Sequence, residues 1–392
     1  MNAVCDASGP RRATVLVAYK SLPRYRIDFF SALRLRLRRE HVELVLAHGE
    51  PHGADAYKRD TGELSWAAKR SNRTIRFGHR HVVWQPCLDL ARRADLVIVE
   101  QASRLLVNYV LLAMQSLRLT RVAFWGHGAN LQHHRASRLG EHLKRIVSRH
   151  PHWWFAYTEG TRERVAALGF PSDRITVVQN AVDTTSLRAQ IGSVTESEVL
   201  AWKERNRIAR GPVGLFLGSL YAEKRLPFLF AAADRIRELV PDFQLVIGGD
   251  GLLRREVKEQ CARRNWATYL GSVYGADKAV ALAAADVFLM PGLVGLAVLD
   301  SFAAGLPIAT TAVDFHSPEI EYVEDGLNGV VTPDPEDVGA YALAVKRVLS
   351  EHEFRHSLQI GCRRSAERYT NEAMVERFTE GVLRALGRGV TS

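Results

Sequence analysis

One rhythm, begun twice, constrains this chain most: short apolar runs separated by helix-forming segments. In the first part the runs fall at Thr14–Tyr19, Val42–Ala47, Val82–Trp84, Asp95–Glu100, Val122–Trp125, Trp153–Tyr157 and Ile175–Val178. Residues 184–211 are polar and helix-prone and carry no such run. The runs then resume at Val213–Leu217, Phe243–Ile247, Ala267–Leu270, Val287–Met290 and Ile308–Thr311, and helical segments occupy Pro335 to Leu386. Strands that are apolar on both faces and alternate with helices belong to parallel sheets covered on two sides. The pattern therefore predicts an α/β chain of two doubly wound, Rossmann-like units facing across a ligand cleft. A chain of 392 residues suits two cores better than one. The expected boundaries are a first unit over 1–183, a connection over 184–211, a second unit over 212–370, and a last helix at 371–392 packing back towards the first unit.

Charge is unevenly placed. Residues 1–200 hold 30 Lys and Arg against 18 Asp and Glu, and 11 of the 14 histidines, whereas residues 201–392 hold 23 against 25. The basic half suits an anionic partner such as a membrane surface or a phosphorylated acceptor. A helix predicted over Arg26–Arg39 sets Ile27, Phe30, Leu33 and Leu37 on one stripe amid Arg34, Arg36, Arg38 and Arg39. It suits peripheral membrane contact if the stripe is open, and core packing if it is not. No nucleic-acid recognition module accompanies the charge, so nucleic acid is not an expected partner. Cys5, Cys87, Cys261 and Cys362 are scattered, which argues against a zinc site and suits a reducing compartment. Residues 279–299 contain Asp286 as their only charge, but the Pro291-Gly292 break divides them into core elements rather than a membrane span. No apolar secretory segment opens the chain. Together these features point to a cytoplasmic protein, with peripheral contact at the inner membrane face as an option.

Met290 to Pro307 reads as strand end, glycine-bearing loop and helix start, with Gly292 and Gly295 in the loop and Asp300 in the helix. Glycines beside helix amides let a diphosphate approach the backbone closely. Gly218-Ser219-Leu220-Tyr221-Ala222-Glu223-Lys224-Arg225 follows the first strand of the second unit and carries two cations, read as exposed, to the sheet's carboxyl edge. The bland reading of such a pair is a solvated helix end. Gly248-Gly249-Asp250-Gly251 is a tight turn without a dinucleotide or P-loop fingerprint. Leu270-Gly271-Ser272-Val273 is another strand exit, able to meet a nucleobase edge or to be an unadorned turn. In Trp125-Gly126-His127-Gly128, His127 stands between glycines at a strand exit, a place that suits a cleft as well as a structural role.

The order and spacing of these segments resemble family 4 glycosyltransferases, which are retaining, nucleotide-sugar-dependent enzymes of the GT-B fold. The likeness covers most of residues 212–335. It extends more loosely through residues 125–128, Ala156-Tyr157-Thr158 and Gln179-Asn180-Ala181-Val182-Asp183. The resemblance implies that residues 212–370 bind the donor, with Gly218, Ser219, Lys224, Arg225, Val273, Gly292, Gly295, Leu296 and Asp300 as donor-side positions. Lys224 would hold the diphosphate, Gly295 and Leu296 would offer it backbone amides, and Asp300 would bind the ribose hydroxyls. Val273 would lie by the base. His127, with Lys224, would serve catalysis near the transferred sugar. Three positions depart from the family: Gly292 replaces the first of two glutamates eight residues apart, Ser219 replaces an arginine, and Lys20-Ser21-Leu22-Pro23 replaces a glycine pair.

The resulting expectation is a retaining glycosyltransferase moving a sugar from a nucleotide donor to a hydroxyl acceptor, such as a glycan, a lipid-linked glycan or a metabolite. No metal or other cofactor is expected. The alternative is a non-catalytic nucleotide-sugar binder or partner subunit, suggested by Gly292.

Overall fold

In the computed structural model, which describes residues 12–50, 61–77, 80–128 and 147–389, the apolar runs form two fully parallel sheets. The chain divides into one unit of Met1–Gln179 with Asn371–Ser392 and another of Asn180–Thr370. In the first, β1 (Ala13–Ser21), β2 (Val42–Gly49), β3 (Ala68–Lys69), β6 (Leu96–Glu100), β7 (Arg121–Gly126), β8 (Trp153–Ala156) and β9 (Ile175–Val177) lie in the order β3-β2-β1-β6-β7-β8-β9. The central strands are buried almost throughout, as a sheet covered on both faces requires.

The run at 82–84 departs from expectation. It belongs to an antiparallel hairpin of β4 (Arg73–Phe77) and β5 (Arg80–Trp84), outside the parallel sheet. Its partner strand begins Arg73-Thr74-Ile75-Arg76, all exposed, so this ribbon has a wet face that a doubly covered strand cannot have.

The helix over Ile27–Arg39 buries Phe29, Phe30, Leu33 and Leu37. Each large apolar side chain so buried contributes about 1.5–3 kcal/mol, so the stripe is committed to the core. Three of its arginines meet carboxylates: Arg36 pairs with Glu40 and Glu376, and Arg34 and Arg38 approach Glu43. The helix Asn371–Ala385 completes this unit. Its Phe378 stacks on Phe155 at 4.3 Å between centroids and meets Trp125 and Phe29 edge-on. Gly381 permits the approach, because a Cβ there would stand 2.7 Å from the Phe155 ring.

The second sheet has the order β12-β11-β10-β13-β14-β15, formed by β10 (Val213–Leu217), β11 (Gln244–Gly248), β12 (Ala267–Gly271), β13 (Val287–Met290), β14 (Ile308–Thr311) and β15 (Gly329–Thr332). β15 has no counterpart among the apolar runs read from the sequence, since Gly329-Val330-Val331-Thr332 is short and opens on glycine. Gly329 is small for a reason: a Cβ there would lie 2.4 Å from the Ile308 carbonyl oxygen. Residues 184–211 hold two helices, Thr185–Ser193 and Glu196–Arg205, that fold with the second unit. Thr195 and Glu198 start the latter with a reciprocal capping box. Among the described residues no helix is long and apolar enough to cross a membrane, and residues 279–299 are divided between helix, strand, loop and helix.

Candidate functional site

In the second unit the strand order reverses between β10 and β13: from β10 the chain runs outward to β12, then returns to the other side of β10 as β13. The carboxyl ends of strands flanking such a reversal border a crevice in open α/β sheets. Three strand exits are laced together there. Gly218 N donates to Gly248 O at 3.1 Å, Gly249 N to Gly271 O at 2.7 Å, and Leu220 N to Asp250 O at 2.9 Å. The glycine turn exists for this lacing. At Gly249, with φ of 148°, a Cβ would stand 1.8 Å from Gly218 O. Val273 is half-buried and packs over Gly248, while Ser219 is exposed.

Lys224 closes a short 3-10 turn after β10 and is buried, with 5% exposure, not the surface cation its sequence setting suggests. Its Nζ donates to Leu293 O in the loop after β13, beside the Tyr221 ring. Burial pushes its pKa down to about 8, against the opposing pull of Glu319 and Glu223. An ammonium so placed is still mostly charged at neutral pH.

The loop Pro291–Leu296 is held from two directions. Leu293 N donates to Glu223 O at 2.8 Å, on the Lys224 turn. On the β14 side, Thr311 Oγ1 donates to Pro291 O at 2.7 Å and Ser317 N to Val294 O at 3.1 Å. Buried His316 joins the two: its Nδ1 accepts from Val294 N at 3.0 Å, so its Nε2 carries the hydrogen donated to Thr311 O at 2.7 Å. Burial first, and Lys224 further, hold its pKa below the usual histidine value, keeping it in this neutral tautomer. With the loop fixed, Gly295 and Leu296 are half-buried, and among the described residues none accepts from their amide nitrogens.

Gly292 has a steric explanation. A Cβ at 292 would lie 2.3 Å from Glu223 O and 2.5 Å from the Lys224 carbonyl carbon. The two loops meet backbone to backbone, and a glutamate cannot be accommodated without separating them. Arg225, expected beside Lys224 at a phosphate, turns elsewhere. Its guanidinium donates to Thr311 Oγ1 at 3.3 Å, Pro335 O at 2.6 Å and Glu336 at 2.7 Å, and lies over Phe228. These contacts brace a left-handed backbone at Arg225, with φ of 53°. Asp300 lies on the helix Ala297–Ala303 and is ion-paired at 2.8 Å with Lys278.

The structure thus groups Lys224, Gly292, Gly295 and Leu296 at one loop, and Gly218, Ser219 and Val273 at the laced exits. His127 belongs to the first unit, exposed after β7, with its ring edge-on to Tyr157 at 4.5 Å between centroids. Sequence reasoning missed His316, Glu319 and Lys278. Each is an isolated polar residue whose partner lies more than 20 positions away or on another element. Pro318-Glu319, a proline-led acid after a strand exit, was the one legible signal. Among the described residues no cluster of His, Cys, Asp and Glu has the makings of a metal site.

Residues 211–351 match the family described as glycosyl transferases group 1. A sulfoquinovosyl transferase of Arabidopsis thaliana is 23% identical over 53% of this chain and 39% of its own length. A phosphatidyl-myo-inositol mannosyltransferase of Mycobacterium tuberculosis is 32% identical over 34% of this chain and 36% of its own length. The matched segments thus span less than half of these curated relatives. Among solved structures, HepE of Anabaena in complex with UDP is 14% identical and aligns over 95% of this chain and 100% of its own with a TM-score of 0.69. Residues 211–351, within the second unit, are thus similar to group 1 glycosyltransferases, and the chain has the GT-B fold.

Proposed function

We propose that the protein is a retaining glycosyltransferase that moves a sugar from a nucleoside diphosphate donor to a hydroxyl acceptor. The observation that carries the reading is the pairing of a buried ammonium, Lys224, with the amides of Gly295 and Leu296, which have no acceptor among the described residues, on one braced loop at the β10/β13 reversal. Cations and amides fixed in advance stabilise charge developing on a departing diphosphate. In the reaction, the bond from the anomeric carbon to the diphosphate oxygen breaks and its electron pair leaves with the diphosphate. The acceptor oxygen bonds to the same face of that carbon, and its proton passes to the leaving phosphate. Lys224, Gly295 and Leu296 serve the diphosphate, Asp300 the ribose, Val273 the base and His127 the transferred sugar. The positive charge comes from protein groups, and neither metal nor cofactor enters the proposal. The group 1 domain match supports this reading, as do the transferase names of the relatives and the UDP bound to HepE.

Gly292 was the reason to consider a non-catalytic binder. Its backbone packing now explains the glycine, and no other observation favours that reading.

The test is a thermal-shift screen against nucleoside diphosphates and nucleotide sugars, followed by acceptor trials with the donor selected. A ligand that binds the native state raises the melting temperature by mass action. A selective rise is expected, and no rise at millimolar ligand with any of them would end the proposal. Product anomeric configuration, read by NMR, then decides retention.

A further inference from the structure

Lys224 is a buried cation, and a buried ammonium sheds its proton unless a negative group compensates it. The charged and titratable groups acting on it come from two directions. Its own turn offers Glu223, which is exposed, and the ring of Tyr221. The segment after β14 offers His316, held neutral by two backbone hydrogen bonds, and Glu319, which is only 3% exposed. Glu319 lies on the short turn Pro318–Tyr322 and is itself immobilised: Asn180 Nδ2 donates to its Oε1 at 2.5 Å. Asn180 is anchored in turn by Tyr322, whose hydroxyl donates to Asn180 O at 3.0 Å. The same segment joins the Lys224 loop through Ser317 N to Val294 O and through His316. A carboxylate fixed out of water acts on a neighbouring charge with little screening, whereas the exposed Glu223 is screened.

We infer that Glu319 is a positioning residue for Lys224: its buried carboxylate keeps the ammonium protonated and seated on Leu293 O, and so sets the alkaline limit of anion binding at this loop. That the anion is a nucleoside diphosphate rests on the proposed function; the coupling of the two side chains does not. The burial-lowered pKa of Lys224, about 8, puts this limit within easy experimental reach. As pH rises through that value the lysine loses its charge, and affinity for an anion falls with it. Glu319→Gln removes the negative charge while its amide oxygen can still accept from Asn180.

The experiment has two readouts. Lysine is labelled with 13C at Cε, the Lys224 signal is identified by its absence in Lys224→Arg, and its titration is followed in the unliganded wild type, Glu319→Gln and Glu223→Gln. UDP binding is measured in parallel by calorimetry from pH 6 to 10. In Glu319→Gln the Lys224 midpoint is expected about one pH unit lower than in wild type, with the alkaline loss of UDP binding moving by the same amount. Glu223→Gln is expected to move both less. A purely structural role would weaken UDP binding at every pH and leave the midpoint in place. An unmoved midpoint, or a shift in Glu223→Gln as large as in Glu319→Gln, overturns the inference. If Glu319→Gln does not fold, Glu319→Asp replaces it: a displaced midpoint supports the coupling and an unmoved one overturns it. A displaced midpoint in protein that binds neither UDP nor any other nucleoside diphosphate supports the coupling and instead removes the donor-site reading.

Discussion

Lys224 unites the two roles that a buried charge can play, a cost to the fold and a tool for binding. Its folded-state pKa, about 8, lies below the ordinary lysine value, so the folded protein binds fewer protons than the unfolded chain. Stability should therefore rise with pH from about 8 towards the unfolded value and be lowest below 8. The gap corresponds to about 3 kcal/mol at neutral pH, offset in Lys224→Met by about 1 kcal/mol for the hydrogen bond lost at Leu293 O. Lys224→Met is accordingly expected to unfold at the same or a higher denaturant concentration than wild type at pH 7 while losing nucleoside diphosphate binding. Equilibrium denaturation and calorimetry check both halves. Gly292 makes the opposite case. Its replacement by glutamate, which would restore a familiar-looking motif, should destabilise by at least about 3 kcal/mol, because a Cβ meets main-chain atoms that have no rotamer to change. Gly292→Ala suffices to test this: unchanged melting and donor binding would refute the close backbone contact.

At the level of elements, the loop Pro291–Leu296 is shaped by its neighbours more than by its own residues. Glu223 O, His316, Ser317 and Thr311 all bond it, and the adjacency of β10, β13 and β14 in the sheet brings them together. His316 gives this arrangement a pH dependence. A histidine with a lowered folded pKa contributes stability that is present above the unfolded value, about 6.5, and is lost as pH falls through that value towards the folded one. Protonation puts a hydrogen on Nδ1, which then faces the Val294 N–H donor to donor. Melting temperature should therefore fall more steeply as pH drops below about 6.5 in wild type than in His316→Leu. At pH 7.5 His316→Leu should be less stable by about 2 kcal/mol for two buried hydrogen bonds. Parallel slopes for the two proteins would show that another group governs the acid limb.

For the molecule as a whole, the helix Asn371–Ala385 is the element on which the core of the first unit closes. It follows the second unit in the chain and belongs to the first in space, where Phe378 meets Phe155, Trp125 and Phe29. Arg26, fully buried, has its guanidinium 5.0 Å from the Trp125 ring centroid and donates to Met374 Sδ at 3.6 Å, in the same layer. Ending the chain at residue 370 would strip this aromatic face, leaving side chains each worth about 3–5 kcal/mol when deleted from a core. Limited proteolysis of the shortened chain is expected to digest the first unit and leave the second as a protected fragment. Equal protection of both would show that the helix is dispensable. Gly381→Leu, which cannot fit against Phe155 and Thr176, should produce a milder form of the same effect.

The two parallel sheets were legible because period and apolarity are local properties: a strand buried on both faces must be apolar at every position. Lys224, Gly295, Leu296 and Asp300 could be put forward from the sequence because strand, glycine loop and helix follow one another in a recognisable order. The hairpin at 73–84 and β15 were not legible, since their partners lie elsewhere in the fold and their own composition is weak. Nor did the sequence disclose that Arg225 turns away to Glu336, that Gly292 is glycine for want of space, or that Glu319 and His316 attend Lys224. Those facts depend on which backbones come within a few ångströms after folding, on how much water is left around a charge, and on which carbonyls remain to be satisfied. The sequence by itself determined the layers and the order of the loops; tertiary structure decided which side chains are buried together, and through burial and hydrogen bonding, what charge they carry.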